Sequence, residues 1–516
     1  MNHHAPETVV TAQGAVRGLR RDGATVFLNI PYAAPPTGAA RFAAPRPHAP
    51  WNGVRDATEP GPTAPQAERR LGSVDMTPYF GPGWIPGEDF LTVNVWTPGA
   101  SGERLPVMVF VHGGGFVAGS TRAEIYDGAA FARDGVVLVT LNYRLGITGF
   151  LDLPGAPANR GLLDVIAALR WVRENIAAFG GDPARVTLSG QSAGATIVGG
   201  VLAAPEAEGL FRRVIMQSGS GLGAFTPEQA ASVTRAAAHA LGVEPHADAF
   251  AGIPDRRLVE VMSELSGIDL RTETHSDPLI GLSPFSLVLD RQPAEAVAAG
   301  RGAGVDLLVG TNTEEGNLYL APFGNLSTST AADVDAAAAR SHPRPARLVE
   351  TYRNARPKAS DGELRSAIMG DAMFGVGSRR LADAHAQTAA AHAGRAAAHA
   401  GRTAAHVGRA AATYRYSFAW RSNALGGELG ATHAVELPFV FDVTGLPRLR
   451  GPQVLLGPDE PPPGLATRMH AAWVAFATTG DPGWERYETG RRATMRIDGE
   501  WSVADDPHGE ELQAWL

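Results

Sequence analysis

Ser192 stands in the segment Val186-Thr187-Leu188-Ser189-Gly190-Gln191-Ser192-Ala193-Gly194-Ala195, where a β-branched run meets a run of small residues. The pattern predicts a strand that turns sharply into a helix with a serine hydroxyl at the corner, and a hydroxyl held there serves as a nucleophile. Gly190 and Gly194 keep the turn clear of side chains. The helix that begins beside Ser192 aims free N–H groups and the positive end of its dipole at any anion formed there. A Gly-x-Ser-x-Gly match alone is a weak signal in a chain with 61 glycines, so three further pieces of chemistry are required.

The first is a set of donors for an oxyanion. Val111-His112-Gly113-Gly114-Gly115-Phe116 follows an apolar run, and its glycines let backbone N–H groups approach a reacting carbonyl oxygen. Gly114, Gly115 and the N–H of Ala193 are the expected oxyanion hole. The second piece is a general base. Histidine suits both halves of the reaction because its ordinary pKa lies near 6.5. Of fifteen histidines, the order serine, acid, histidine favours a late one, and His433 sits in a loop beyond the run that ends at Trp420. His470 has a helical Met-His-Ala-Ala-Trp context that suits a structural role, and His112 precedes the nucleophile and suits a loop organiser. The third piece is an acid to hold the imidazole. The run Val305 to Val309 leads into Gly310-Thr311-Asn312-Thr313-Glu314-Glu315-Gly316, and spacing does not separate Glu314 from Glu315.

These side chains need a scaffold. Val107–Val111, Val136–Leu141, Val186–Leu188, Val214–Met216, Val305–Val309 and Tyr414–Phe418 are short, nearly continuous apolar runs that alternate with Ala-rich stretches. Such strands predict a sheet buried on both faces in an α/β fold. Helical spacing from Gly161 to Phe179 stops at Gly180-Gly181-Asp182-Pro183, directly before the nucleophile strand. No linker-like stretch divides the 516 residues, which reads as one domain spanning residues 1–516. The Pro-rich segments at 35–50 and 461–463 read as loops within it.

A net charge of −8 gives no reason to expect nucleic acid or an anionic membrane as partner, and a small neutral or cationic ligand fits better. The chain has no cysteine, which removes disulfides, thiolate catalysis and cysteine metal sites. No apolar run reaches membrane-spanning length, and the first residues lack a basic segment followed by an apolar core, so a cytoplasmic location is expected. One segment stands apart. His385, His392, His399 and His406 recur every seven residues in Ala/Gly/Arg-rich repeats. On a helix that spacing places neighbouring imidazoles roughly 10 Å apart, too far to share a metal ion. The repeat at about 385–409 therefore reads as an inserted, exposed Ala-rich helix.

With these pieces in place the chain resembles the type-B carboxylesterase family, the cholinesterase-like branch of the α/β-hydrolases, and most of all its bacterial carboxylesterase and para-nitrobenzyl esterase members. The resemblance runs from Gly14 to about Trp515. It is carried by Ile30-Pro31-Tyr32-Ala33 with Arg41-Phe42, by Glu88-Asp89-Phe90-Leu91-Thr92-Val93-Asn94-Val95, and by Asn142-Tyr143-Arg144-Leu145-Gly146. Phe179-Gly180-Gly181-Asp182-Pro183, Gln217-Ser218-Gly219-Ser220 and the stretch Trp473 to Pro482 add to it. The resemblance implies an α/β-hydrolase fold with a large, mostly parallel sheet covered by helices. It implies Glu315 as the acid, Ser218 as a hydrogen-bonding support for it, and a structural ion pair between Arg41 and Glu88.

The chain departs from the family at Gln191, where many members carry glutamate, which disfavours a choline ester, and at Val165 in the Gly-Leu-Leu-Asp helix. The expectation is a serine carboxylesterase acting on short- to medium-chain or aromatic esters through an acyl-enzyme. Its partner is a small-molecule ester, no cofactor or metal is needed, and the protein is a monomer or small homo-oligomer. The alternatives are the same triad specialised for carbamates, amides or a bulky ester, and a non-catalytic recognition protein of the same fold.

Overall fold

A computed structural model describes residues 6–21, 23–68, 70–99, 104–400 and 410–516. The apolar runs form one sheet. In chain order its strands are β1 (Pro6–Val10), β2 (Ala15–Arg21), β3 (Ala24–Pro31), β4 (Val54–Asp56), β5 (Thr92–Thr97), β6 (Leu105–Val111) and β7 (Val137–Leu141). They continue with β8 (Gly181–Gln191), β9 (Arg213–Gln217), β10 (Asp306–Asn312), β11 (Thr413–Phe418), β12 (Ala493–Ile497) and β13 (Ser502–Asp505). The spatial order is β1-β2-β3-β5-β7-β6-β8-β9-β10-β11-β12-β13, with β4 beside β2. From β7 to β12 every neighbour is parallel, and the two margins are antiparallel apart from β4, which runs parallel to β2.

The central strands read as unbroken apolar runs because both faces are covered. Val107, Val109 and Val111 of β6 pack with Leu169 and Val172 of the helix Arg160–Asn175 and with Ile197 and Val201 of the helix Ala193–Ala203. Met108 and Phe110, one residue out of phase, join the opposite core with Trp473 and Phe476 of the helix Leu465–Thr479. Successive side chains of a strand point to opposite faces, so a strand sandwiched by helices has no polar face to display. The predicted stop after Phe179 is realised as a last turn of 3₁₀ helix, Ile176–Phe179, capped by Gly180 at φ +84°.

Two of the family blocks meet in the core. Arg144 forms a two-pronged ion pair with Asp164, at 2.7 and 2.8 Å, and donates to Ala43 O at 2.6 Å. Arg160, fully buried, donates to the carbonyls of Ile147, Thr148, Leu151 and Pro157. Val165 lies in the same core, so this departure from the family is a packing variation.

The histidine repeat begins deeper than expected. The helix Val376–Ala400 carries its first member, His385, fully buried, with Nε2 at 2.8 Å from Val305 O and Nδ1 at 2.8 Å from Thr413 Oγ1. Thr388 and Ala389 are buried as well, whereas His392 is exposed. The expected exposure therefore fails at His385: periodicity alone hides that this first histidine packs against the segments of β10 and β11. His399 and His406 lie outside what is described: side chains from 395 to 400 and residues 401–409. Among the described residues no helix is long and apolar enough to cross a membrane.

Candidate active site

β8 ends at Gln191 and the helix Ala193–Ala203 begins at once, which leaves Ser192 alone in the bend at φ +56°, ψ −127°. A serine rarely occupies that region, and the neighbouring backbone holds it there. Ser192 N–H donates to Gln217 O at 2.9 Å, and Thr196 N–H donates to Ser192 O at 2.9 Å. The flanking glycines are needed for close approach: a Cβ on Gly194 would lie 2.2 Å from Val111 O, and one on Gly190 would lie 2.8 Å from the Gly194 backbone.

The loop after β11 brings His433 Nε2 to 2.8 Å from Ser192 Oγ, and His433 Nδ1 to 2.5 Å from Glu315 Oε2. A carboxylate only accepts, so Nδ1 carries the hydrogen and Nε2 is left to take the serine proton. The other carboxylate oxygen, Glu315 Oε1, accepts from Ser218 Oγ at 2.5 Å and from Asn312 N–H at 2.7 Å. All three groups are nearly enclosed, with Ser192 at 8%, His433 at 4% and Glu315 at 4% exposure. Glu314, which spacing left as an equal candidate, turns away: it pairs with Arg421 and accepts Ala431 N–H at 2.8 Å. Phe374 also stacks on the imidazole at 4.4 Å and 11°, and the Tyr319 ring lies tilted to it at 5.9 Å. Gln191 places Nε2 at 3.3 Å from His433 Nε2, so a neutral amide occupies the position next to the imidazole edge.

The glycine loop that follows β6 has a backbone path that only glycine follows readily. Gly114 and Gly115 adopt φ of +118° and +63°, and a Cβ on Gly114 would fall 1.9 Å from Ala118 O. Its carbonyls are tied back: Gly114 O accepts from Val117 and Ala118 N–H, Phe116 O accepts from Gly146 N–H, and Gly115 O accepts from Ser283 Oγ at 2.7 Å. Gln66 grips the far end, its Oε1 accepting Gly119 N–H at 2.9 Å and its Nε2 donating to Gly119 O at 3.0 Å. Gly113, Gly114, Gly115 and Ser192 share one wall of the cleft. Ala193 opens the adjoining helix.

This cleft is walled by Leu71, Met76, Tyr79, Phe80, Tyr126, Leu318, Tyr319 and Leu437. Carboxylates and cationic side chains are absent from that wall among the described residues. His112 sits beneath the loop, stacked on Tyr143 at 4.5 Å, and burial pushes its pKa down to about 4, which keeps it neutral. His470 is buried in its helix, with Nδ1 at 2.7 Å from Val440 O and Nε2 at 3.2 Å from Asp134, away from the cleft.

One expected contact is not formed. Arg41 pairs with Asp255 at 3.2 Å and donates to Ile253 O at 2.6 Å, while Glu88 is exposed. The neighbouring Asp89 makes the ion pair of that segment, with Arg55 at 2.7 Å. The segment 251–255 lies nearer to Arg41, and the carbonyls of Ala251 and Ile253 with the Asp255 carboxylate satisfy the guanidinium there. Asn312, Gln66, Ser283 and Phe374 were not singled out as site residues from the sequence. Asn312 lies three residues before Glu315 in the same segment, but Gln66, Ser283 and Phe374 reach the site from remote parts of the chain, where no local signal marks them.

Comparison with known proteins follows the same lines. Residues 5–515 match the Carboxylesterase family. The chain is 34% identical to the para-nitrobenzyl esterase of Bacillus subtilis (strain 168) across 98% of both chains. It is 34% identical to the phenmedipham hydrolase of Pseudarthrobacter oxydans across 92% of this chain and 90% of that one. Its fold is similar to a crystal structure of a carboxylesterase from Geobacillus stearothermophilus, with a TM-score of 0.82 at 34% identity, covering 99% of this chain and 100% of the other.

Proposed function

The chain belongs to the carboxylesterase family and is a carboxylic ester hydrolase, and from that premise we propose that Ser192, His433 and Glu315 carry out the reaction on small, uncharged aromatic or short-acyl esters. The observation that carries this reading is the unbroken chain Ser192 Oγ–His433–Glu315, with contacts of 2.8 and 2.5 Å, opening onto an apolar cleft. Ser192 Oγ attacks the ester carbonyl carbon as its proton passes to His433 Nε2. The developing imidazolium lies against Glu315, and the oxyanion takes the N–H groups of Gly114, Gly115 and Ala193. Collapse returns the proton from His433 to the departing alkoxide oxygen and leaves the acyl group on Ser192. A water molecule, deprotonated by the same nitrogen, then releases the acid. Ser218 and Asn312 hold the acid, and Tyr143 steadies the oxyanion loop through its hydrogen bond to His112 O at 2.7 Å.

The substrate class follows from the wall. A cleft lined by aromatic and aliphatic groups, with Gln191 neutral beside the serine, favours an uncharged acyl or aryl group over a quaternary ammonium. The one continuous sheet supports reading residues 1–516 as one catalytic domain.

A fluorophosphonate probe followed by peptide mass spectrometry, with turnover of p-nitrophenyl acetate and butyrate, tests the reading. Stoichiometric labelling of Ser192 with loss of turnover is expected, and Ser192→Ala should lower kcat by about 10⁴-fold or more without changing the melting temperature. Full activity in folded Ser192→Ala would sink it. Matched carbamate and anilide substrates should turn over more slowly than the ester, and the opposite order would move the assignment to those bonds.

A further inference from the structure

One buried guanidinium of the sheet has no counter-charge of its own. Tyr414, Tyr416 and Phe418 of β11 belong to the core that holds Trp473 and Phe476, so Arg415, one residue out of phase, points to the opposite face. Arg415 is 5% exposed, and its Nε and Nη1 meet no acceptor among the described residues. An arginine does not shed its proton inside a protein, so burial is not relieved by neutralisation. Buried charges are normally paired, and one without a protein partner points to a ligand or to water.

The carboxylates around it are engaged elsewhere. Asp506 pairs with Arg379 at 3.2 Å and Arg492 at 3.6 Å, and Asp383 pairs with Arg492 at 3.2 Å and accepts the Tyr487 hydroxyl at 2.7 Å. Arg379, Arg415 and Arg492 thus share two aspartates, and Arg415 is the one that pairs with neither. Glu511 is taken by Arg356 and by His508 Nδ1 at 2.9 Å.

Arg415 lines a cavity together with Thr311, Ser417, Arg356, His508 and Asp371. Ser417 lies opposite Thr311 across the β10–β11 pair, and both share the sheet face of Arg415. Each hydroxyl can donate as well as accept, so a guanidinium and two further donors meet in one space. Asp371 is the one carboxyl of the wall outside the triad, and its Oδ2 accepts the Tyr352 hydroxyl at 2.6 Å. Burial pushes that carboxyl up, toward its neutral form. Glu315 also borders the cavity, but Ser218, Asn312 and His433 hold its oxygens. The segment Asp371–Gly375 is a π-helical turn, an irregularity that recurs at functional sites. This cavity shares no wall residue with the cleft at Ser192.

We propose that this cavity is a second binding site, for a small monovalent anion held by Arg415 with the hydroxyls of Thr311 and Ser417. The ligand is a halide or a short carboxylate, the class of acid that ester hydrolysis releases. One negative charge matches one unpaired guanidinium, whereas a divalent anion would bury a second charge without a partner. The site does not depend on which residues form the triad. The test follows the melting temperature of the full chain as sodium gluconate, a salt of a bulky anion, is replaced at constant ionic strength by sodium chloride, bromide or acetate. Wild type should gain about 1–3 °C and level off as the site fills. Arg415→Met, which removes the charge and keeps an unbranched apolar stem, should not respond. Crystals soaked in a responding anion should hold it beside the Arg415 guanidinium, with bromide located by its anomalous scattering. A response to acetate assigns the site to carboxylates, and a response to halides alone assigns it to halides; both support the proposal. No response of wild type to any of the three overturns it, as does an equal response in Arg415→Met, and water bridging Arg415 to Asp371 then serves the guanidinium. If Arg415→Met fails to fold, the soaked wild-type crystal decides, and a responding anion found elsewhere overturns the proposal.

Discussion

At the scale of single residues, the proposed reaction depends on which neighbours of the imidazole carry charge. His433 has Glu315 at Nδ1, a stacked Phe374 over one face and the neutral Gln191 amide near Nε2. When Nε2 takes the serine proton, an N–H comes to face the Gln191 NH₂, and relief comes from turning the amide so that its oxygen accepts. Gln191→Glu replaces that adjustable dipole with a fixed negative charge. An anion beside a histidine stabilises its protonated form, so the acid limb of kcat/KM should rise by roughly one pH unit. The same variant should gain on cationic esters relative to neutral ones. Both are read from pH–rate profiles on a neutral and a cationic ester; an unmoved limb would mean that residue 191 does not communicate with His433.

At the scale of elements, what positions the catalytic groups is the docking of loops onto strand ends. The Asn142–Gly146 block and the helix Arg160–Asn175 are joined by Arg144 and Asp164, whose side chains are 1% and 0% exposed. A buried pair of this kind is costly to break, since removing one partner leaves the other charge without compensation. Asp164→Ala should therefore destabilise the protein by about 3–5 kcal/mol, measured by chemical denaturation. A loss below about 1 kcal/mol would place the pair in the class of solvent-screened surface bridges. The oxyanion loop relies on similar ties at smaller cost, through Gln66 and Ser283.

At the scale of the whole molecule, the sheet buries titratable groups that make stability depend on pH. Burial holds His385 and His112 at about 4. A histidine whose pKa is depressed in the folded state stabilises fully above its unfolded value near 6.5, and that contribution is lost as pH falls through about 4. Replacing His385 by Asn should thus cost most stability at neutral pH, with the gap to wild type narrowing on acidification by on the order of 3 kcal/mol. Glu436 acts in the opposite sense. Its raised pKa means stability present below about 4.5 and lost as pH rises through about 7, so Glu436→Gln should gain relative to wild type at alkaline pH. Melting curves from pH 4 to 8 check both, and pH-independent gaps would contradict these burial assignments.

The sequence by itself determined the nucleophile corner, the glycine loop and the strands that lead into them. These are local: a sharp strand-to-helix turn requires glycines within two residues of Ser192, and a strand covered on both faces must be apolar throughout. It narrowed the base to His433 by chain order, but left Glu314 and Glu315 equivalent until the family resemblance chose between them, because adjacent residues share any spacing rule. Only the tertiary structure decided what comes from far along the chain. Glu314 faces Arg421 while Glu315 faces His433; Arg41 finds Asp255 and leaves Glu88 exposed; Ser283 and Gln66 hold the oxyanion loop; His385 opens a repeat yet belongs to the core. Glu436 lies three residues from His433, yet its hydrogen-bond donors, the amides of Asn312 and Gln217, are 124 and 219 residues away. Burial and hydrogen-bond partnership are properties of the packed molecule, and a pattern along one chain carries no record of which remote group arrives to satisfy a given atom.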